Sequence, residues 1–585
     1  MALDQAGAYI REPNCSFARY AQLFEQSPLR LLGRRGELPD DSDHLDPVAR
    51  TWLLSFEKVK QNELAVQVLY QCAFLHAEGI VQEIFAELDP IEYDEAIAQI
   101  LRYSLLKRDD QAQMLSIHRL VQMVLRAQLS TEEQKTVVTQ VVVGLWLACP
   151  DSEDSDFMAW TERSRAWLLN ARAGEQWSHR LELQTEAMGA LFNLMGYYLK
   201  AIGDYSQALP LYQEALKIRE QILGKLHPDT ATSLNNLALL YKTQGQYEQA
   251  LPLFQEALKI REQVLGKLHP DYATSITNLA GFYRDQGKYD QALALLQEAL
   301  KIREQVLGKQ HLSYASSLNN LANLYQDQGE YSKALPLYQE ALAIREQILG
   351  KKHPDIATSL NNLAMLYQDQ GDYAQALPLF QHSLEIYKET LGDTHPDVAV
   401  NLNNLASLYT SLGQYEQALP LHQQALAIRE QIFGRNHPSI ATSLNNLAAL
   451  YQELGNDSMA ETLYHKSLKI LEATFGKEHP DVAQTLNNLA TIYRDKKNYS
   501  QAKSLLEEAL YVRTKIFGKQ HPEVANSLYN LGVLYDTLGE YAKAKHSYEQ
   551  SLNILTKTLG NKHPHTMMVA ENYQDFLKDM SHLVH

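Results

Sequence analysis

His395-Pro-Asp-Val-Ala-Val-Asn-Leu-Asn-Asn-Leu-Ala-Ser-Leu-Tyr409 decides the fold, because variants of it recur through most of the chain. Its histidine returns at 227, 269, 311, 353, 395, 437, 479, 521 and 563, a period of 42 residues, and proline follows everywhere except at Leu312. Glycines keep the same step in two series. One runs 203, 245, 287, 329, 371, 413, 455 and 539, with Lys497 standing for its missing member; the other runs from 224 through 266 and on to 560. Two punctuation points per period mean two elements per repeat.

The first element opens at the His-Pro. Pro228 suits a first helical position, where no amide donor is needed, and Asp229 places negative charge at the positive end of the helix. Leu234, Leu237, Ala238 and Tyr241 follow i, i+3, i+4, i+7 and make one apolar stripe. Gln244 and Gly245 end it. The second element runs from about Tyr247, with Ala250, Leu251, Phe254, Ala257, Leu258 and Val264 apolar, to Gly266, where a left-handed residue is expected. Pro252 falls near its start, where a lost donor matters least. One helix pair cannot bury both stripes, so successive pairs must stack into a solenoid. Repeats that touch only their neighbours predict an elongated body.

The pattern A/L-x-x-Y-x-x-x-G-x-Y-x-x-A-x-x-x-[YF]-x-x-A-L resembles the tetratricopeptide family, and its 42-residue form resembles kinesin light chains and their bacterial relatives. The resemblance implies an all-α, right-handed superhelical solenoid over 186–585, with about nine repeats and a capping helix from His563. It also implies an inner surface, lined by the first helix of each pair, that receives a protein or peptide.

All five tryptophans, at 52, 146, 160, 167 and 177, precede this array, so another structure occupies the first 185 residues. Val81–Glu87 and Glu92–Arg102 read as helices, Ser104–Lys107 and Met114–Ile117 as short strands around a polar turn, and His118–Leu129 as a further helix. That order suggests a winged helix over 46–130. Ser130 with Glu133 forms a capping box that opens a helical linker over 131–185. The stretches Met1–Ile10, Asp46–Glu57 and Ser116-Ile-His-Arg-Leu-Val-Gln122 resemble the distal half of bacterial NB-ARC signalling ATPases. This resemblance implies that 1–45 is a helical remnant of the NB-ARC-type domain, that the repeats are a sensor, and that His118 contacts a bound nucleotide if an ATPase core is supplied by another chain. Ile117 and Arg119 stand where that family has Met and Asp. No G-x-x-x-x-G-K-[ST] occurs, so a relay and sensor without their motor are expected, with no cofactor.

A net charge of −17 opposes broad binding to nucleic acid or anionic membrane and suits a basic partner instead. Cys15, Cys72 and Cys149 are scattered, without a C-x-x-C, which fits a reducing cytoplasm. No apolar run approaches the ~18 residues of a membrane span. The nine histidines lie one repeat apart, about 10 Å, whereas zinc ligands converge within about 2 Å of one ion, so no metal is expected. H-E-x-x-H and G-x-S-x-G are missing, and neither an enzyme nor a small-molecule substrate is expected.

The candidate site is a row of amides. Asn236, Asn278, Asn320, Asn362, Asn404, Asn446, Asn488 and Asn530 hold one position in successive repeats, continued at Asn572, while the preceding residue drifts. Asparagine is a mediocre helix former, so something other than helicity favours it. Either its amide grips the backbone of a bound peptide or it ties neighbouring repeats together. Seven residues later on the same face stand Asp285, Asp327, Asp369, Glu453 and Asp495, an acidic stripe at the unfavourable end of the helix dipole.

Overall fold

The computed structural model describes residues 55–109, 111–149 and 162–583, so the expected helical remnant over 1–45 lies outside the described residues. The chain divides into two compact units, one reaching Ala201 and including Ser206–Gly224, the other comprising Ile202–Tyr205 and everything from Lys225 onward.

In the first unit, helix α1 (Glu63–Ala73) leads to strand β1 (Ile80–Val81) and a 3-10 turn at Gln82–Phe85. Helix α2 (Pro90–Arg102), strands β2 (Leu106–Asp109) and β3 (Met114–Ile117), and helix α3 (Arg119–Ala127) follow. The strands form an antiparallel sheet in the order β1-β3-β2. The later helix, two strands and helix follow in the expected order, but the helix expected over Val81–Glu87 is only a strand end and the four-residue 3-10 turn, and the first strand of the pair is displaced. Val81 is in a strand because Ile80 and Val81 pair with Leu115 and Met114, which no short apolar run reveals by itself. The strand after α2 starts only at Leu106, since Ser104 has φ +56° and turns the chain first. The capping box at Ser130 is present and opens α4 (Thr131–Leu147). Helix α5 (Glu162–Arg180) is pinned to the sheet module by the fully buried Asn170. Its amide oxygen accepts from His76 N at 3.1 Å, and its nitrogen donates to the Gly79 and Ala166 carbonyls at 2.8 Å.

In the second unit the repeat reads as the sequence does. First helices of 16 residues, such as Pro228–Thr243, alternate with second helices of 19, such as Tyr247–Leu265. Small Ala238, Ala250 and Ala257 are fully buried and allow close packing, and Phe254 fills the space beside them. Gly266 differs in detail from the left-handed expectation. Its φ of +81° comes with ψ 165°, a region closed to any residue with a Cβ. Successive first helices contact one another, as Pro228–Thr243 does Pro270–Asp285, while successive second helices stand farther apart. The first helices therefore form the inner side of the curve.

The neighbours-only expectation does not hold. His479 and Pro480 pack against Gly245, and the same contact repeats between His521 and Gly287 and between His563 and Gly329. Since 479 − 227 = 252 residues is six periods of 42, curvature brings the chain round in about six repeats and rests one superhelical turn on the previous one.

Candidate functional site

Each repeat histidine caps the first helix it precedes. At all nine positions Nδ1 accepts a hydrogen bond from the backbone N–H two residues on, at 3.0–3.2 Å. Imidazole here does what Ser or Asp does at most helix starts, which explains its recurrence without a metal. No group of residues able to hold a metal ion occurs among the described residues. His118 caps α3 in the same way, accepting from Leu120 N at 3.2 Å.

The asparagine row divides into two sets. Asn362 Nδ2 donates to Asn319 Oδ1 at 3.3 Å and Asn404 Nδ2 to Asn361 Oδ1 at 3.0 Å, so these two tie a repeat to the one before it. Asn572 does likewise with the Tyr529 hydroxyl at 2.6 Å. Asn488 accepts from Gln484 within its own helix at 2.9 Å. Asn236, Asn278, Asn320, Asn446 and Asn530 are half-buried, and their amides bond to no other described residue. The preceding asparagines lie deeper: buried Asn403 donates to Ser443 at 3.3 Å and faces His422 Nδ1 at 2.8 Å, and Asn445 donates to Thr485 at 2.9 Å. Burial drives the His422 ring down to about 4, with the Arg429 guanidinium adding to it.

The acidic stripe is engaged within the array. Lys242 Nζ meets Asp285 at 2.8 Å, Arg284 Nε meets Asp327 at 2.9 Å, Gln326 donates to Asp369 at 2.6 Å, and Gln452 donates to Asp495 at 3.3 Å. Each carboxylate thus bonds the residue 43 positions earlier, on the preceding first helix. This resolves why acids sit at an unfavourable helix end: the partner across the gap offsets the dipole. Burial raises Asp327 above the usual carboxylate range, with Arg284 opposing it. Glu453 alone of the five has no hydrogen bond or ion pair among the described residues, and it is exposed.

A further ladder was legible in the sequence but is identified only by its burial. Arg261, Arg303, Arg345, Arg429 and Arg513 on the second helices are buried, and each donates to a serine 14 residues on, Ser275, Ser317, Ser359, Ser443 and Ser527. Three of them also reach back 29 residues to a hydroxyl of their own repeat, at Thr232, Thr274 and Ser316. Where arginine gives way to Tyr387, Leu471 or Leu555, the alanine four residues earlier becomes Ser383, Ser467 or Ser551. Each of these serines donates to a first-helix carbonyl, at Ala357, Ala441 and Ala525. From Arg345 onward the two solutions alternate, and each of these eight junctions keeps a buried polar tie.

With paired helices, capped starts and this periodicity in place, a model described as tetratricopeptide repeat matches residues 187–263, 271–347, 355–431, 397–473, 439–510 and 481–557. The chain belongs to the tetratricopeptide-repeat family. A second tetratricopeptide model matches 319–389, and residues 54–134 match a domain of unknown function, DUF7779. A nucleotide-binding leucine-rich repeat (NLR)-like protein of Hyaloscypha variabilis is 34% identical over 253 residues, 40% of this chain. The chain spans about a quarter of that relative's length, 24%. Among solved structures, a P. anserina kinesin light chain with nearly identical TPR-like repeats is 30% identical, with 35% of this chain and 97% of that one covered and a TM-score of 0.30. A signal transduction ATPase with numerous domains from Pyrococcus horikoshii, bearing a tetratricopeptide repeat sensor, is 17% identical, with 87% and 71% covered and a TM-score of 0.42. Tetratricopeptide repeats make this chain a protein-interaction scaffold or sensor. No helix among the described residues is long and apolar enough to cross a membrane.

Proposed function

We propose that the tetratricopeptide array holds an extended segment of a partner protein on its inner surface, and that the unbonded amides of Asn236, Asn278, Asn320, Asn446 and Asn530 bond the segment's main chain. The observation that carries this is their half-buried, unpartnered state on helices that form the inner side of the curve. A backbone grip tolerates many side chains, as a sensor or scaffold requires. Glu453, exposed and unpaired, is where a basic side chain of the partner would dock, since the neighbouring carboxylates are already bonded. The name of the H. variabilis relative supports a second reading, in which the array is the sensor of an NB-ARC-type switch whose phosphate-binding part is supplied by another chain.

The test uses peptides recovered from a random display library on the whole chain. Asn320→Ala/Asn446→Ala should weaken their binding at unchanged melting temperature. Binding that survives this double variant unaltered would remove the amides from the site.

A further inference from the structure

Phenylalanine replaces leucine at one position in three consecutive repeats. Leu223, Leu265, Leu307, Leu349 and Leu391 occupy the end of the second helix in earlier repeats; Phe433, Phe475 and Phe517 occupy it in later ones, and Leu559 follows. Each phenylalanine stacks on the capping histidine four residues on, with ring centroids 4.0, 3.9 and 4.1 Å apart for His437, His479 and His521. Three of the four repeats that rest on the previous superhelical turn carry this pair; the fourth, at His563, has Leu559 in its place. Phe475 stacks on Tyr205 at 5.4 Å, and Phe517 meets Tyr247 at 5.7 Å. His479 Nε2 lies 3.1 Å from the Thr243 carbonyl and His521 Nε2 lies 3.2 Å from that of Asp285.

The glycines record the same contact. At Gly203, Gly245, Gly287 and Gly329 an added Cβ would come within 2.5, 3.2, 3.0 and 2.9 Å of an imidazole carbon of His437, His479, His521 and His563. At Gly413, Gly455 and Gly539, with the same positive φ, it would meet nothing. Lys497, the one member of that series with a side chain, belongs to the same open edge.

We propose that this seam is a latch, closing one superhelical turn on the next so that the inner surface is enclosed when the seam is shut and open from the side when it parts. The latch stands on the geometry of the array; its use in admitting a peptide rests on the groove reading above. Its chemistry requires a neutral ring. Nδ1 of His479 and His521 accepts the helix-capping N–H, at 3.2 and 3.1 Å, so Nε2 must carry the proton that the opposite turn's carbonyl receives. A proton added at Nδ1 breaks the cap. Asp481 lies 3.8 Å from His479 Nδ1, and Glu523, Asp285 and Arg513 act on His521; Tyr205, Tyr247 and Tyr289 face the seam from the other turn as neutral phenols. Burial outweighs the carboxylates and holds both rings below the usual histidine range.

The test needs no ligand, so its failure is separate from failure of the groove reading. Phe475→Leu/Phe517→Leu restores the residue that six other repeats carry, leaving the helices intact. Small-angle scattering should then give a larger radius of gyration at neutral pH with unchanged far-UV dichroism. Gly287→Ala/Gly329→Ala should expand the chain in the same way, whereas Gly413→Ala/Gly539→Ala, with the same backbone strain, should not. The parent should expand at constant helicity as pH falls below about 6.5, where free histidine protonates. Scattering identical in the parent and the leucine variant, equal behaviour of the two alanine pairs, or a parent profile unchanged down to about pH 4 would each overturn the latch.

Discussion

Arg284 Nε and Asp327 Oδ2 lie 2.9 Å apart across two successive first helices, and the 43-residue offset between them recurs at Lys242–Asp285, Gln326–Asp369 and Gln452–Asp495. The acidic row is thus a set of ties between repeats. Arg284→Ala should lower stability by about 0.2–1 kcal/mol, the range for a partly exposed pair, and the loss should shrink at high salt. Chemical denaturation at two salt concentrations checks it. A loss of peptide affinity with no loss of stability would return Asp327 to the binding surface.

The bonded asparagines should behave oppositely to the free ones. Asn362→Ala/Asn404→Ala removes donors to Asn319 and Asn361 and should reduce stability by about 0.5–1.5 kcal/mol per bond. Asn320→Ala/Asn446→Ala should leave the melting temperature in place and weaken a bound peptide about 2- to 13-fold per amide. Thermal unfolding and calorimetry on both variants separate the two roles.

The arginine junctions carry their own rescue. Arg345→Leu strips the buried Ser359 hydroxyl of a donor and should cost about 1–3 kcal/mol. Adding Ala341→Ser reproduces the Ser467 and Leu471 arrangement found three repeats on, so the double variant should recover part of that loss. A coupling energy near zero in the double-mutant cycle would mean that the co-substitution of serine and arginine has no energetic basis.

Acid should loosen the array through its histidine caps. His395 is buried, and desolvation drives it down to about 4 from an unfolded value near 6.5. The folded state binds this proton more weakly than the unfolded chain does. Its contribution is therefore complete above about pH 6.5 and is lost as pH falls toward about 4, on the order of 3 kcal/mol in all. His395→Asn keeps a capping acceptor and removes the titration. Its stability should depend less steeply on pH across that window in urea unfolding; an unchanged slope would assign the acid sensitivity elsewhere.

Periodicity alone determined the helix pairs, their boundaries at His-Pro and glycine, and the first-helix position of the asparagine row, because each depends on residues near one another in the chain. Val81 read as helical because its strand partner, Met114, is 33 residues away and only the folded sheet supplies it. The arginines at 261, 303, 345, 429 and 513 and their alternation with Ser383, Ser467 and Ser551 stood in the sequence from the start. Charged residues at a helix surface normally face water, and only packing showed these to be buried. The acidic row, legible as a pattern, acquired its meaning when adjacent repeats brought Lys242 beside Asp285. The contact of His479 with Gly245 was beyond the sequence altogether, since the small rotation between neighbouring repeats accumulates over six periods before one turn meets the next, and no local residue pattern encodes that sum.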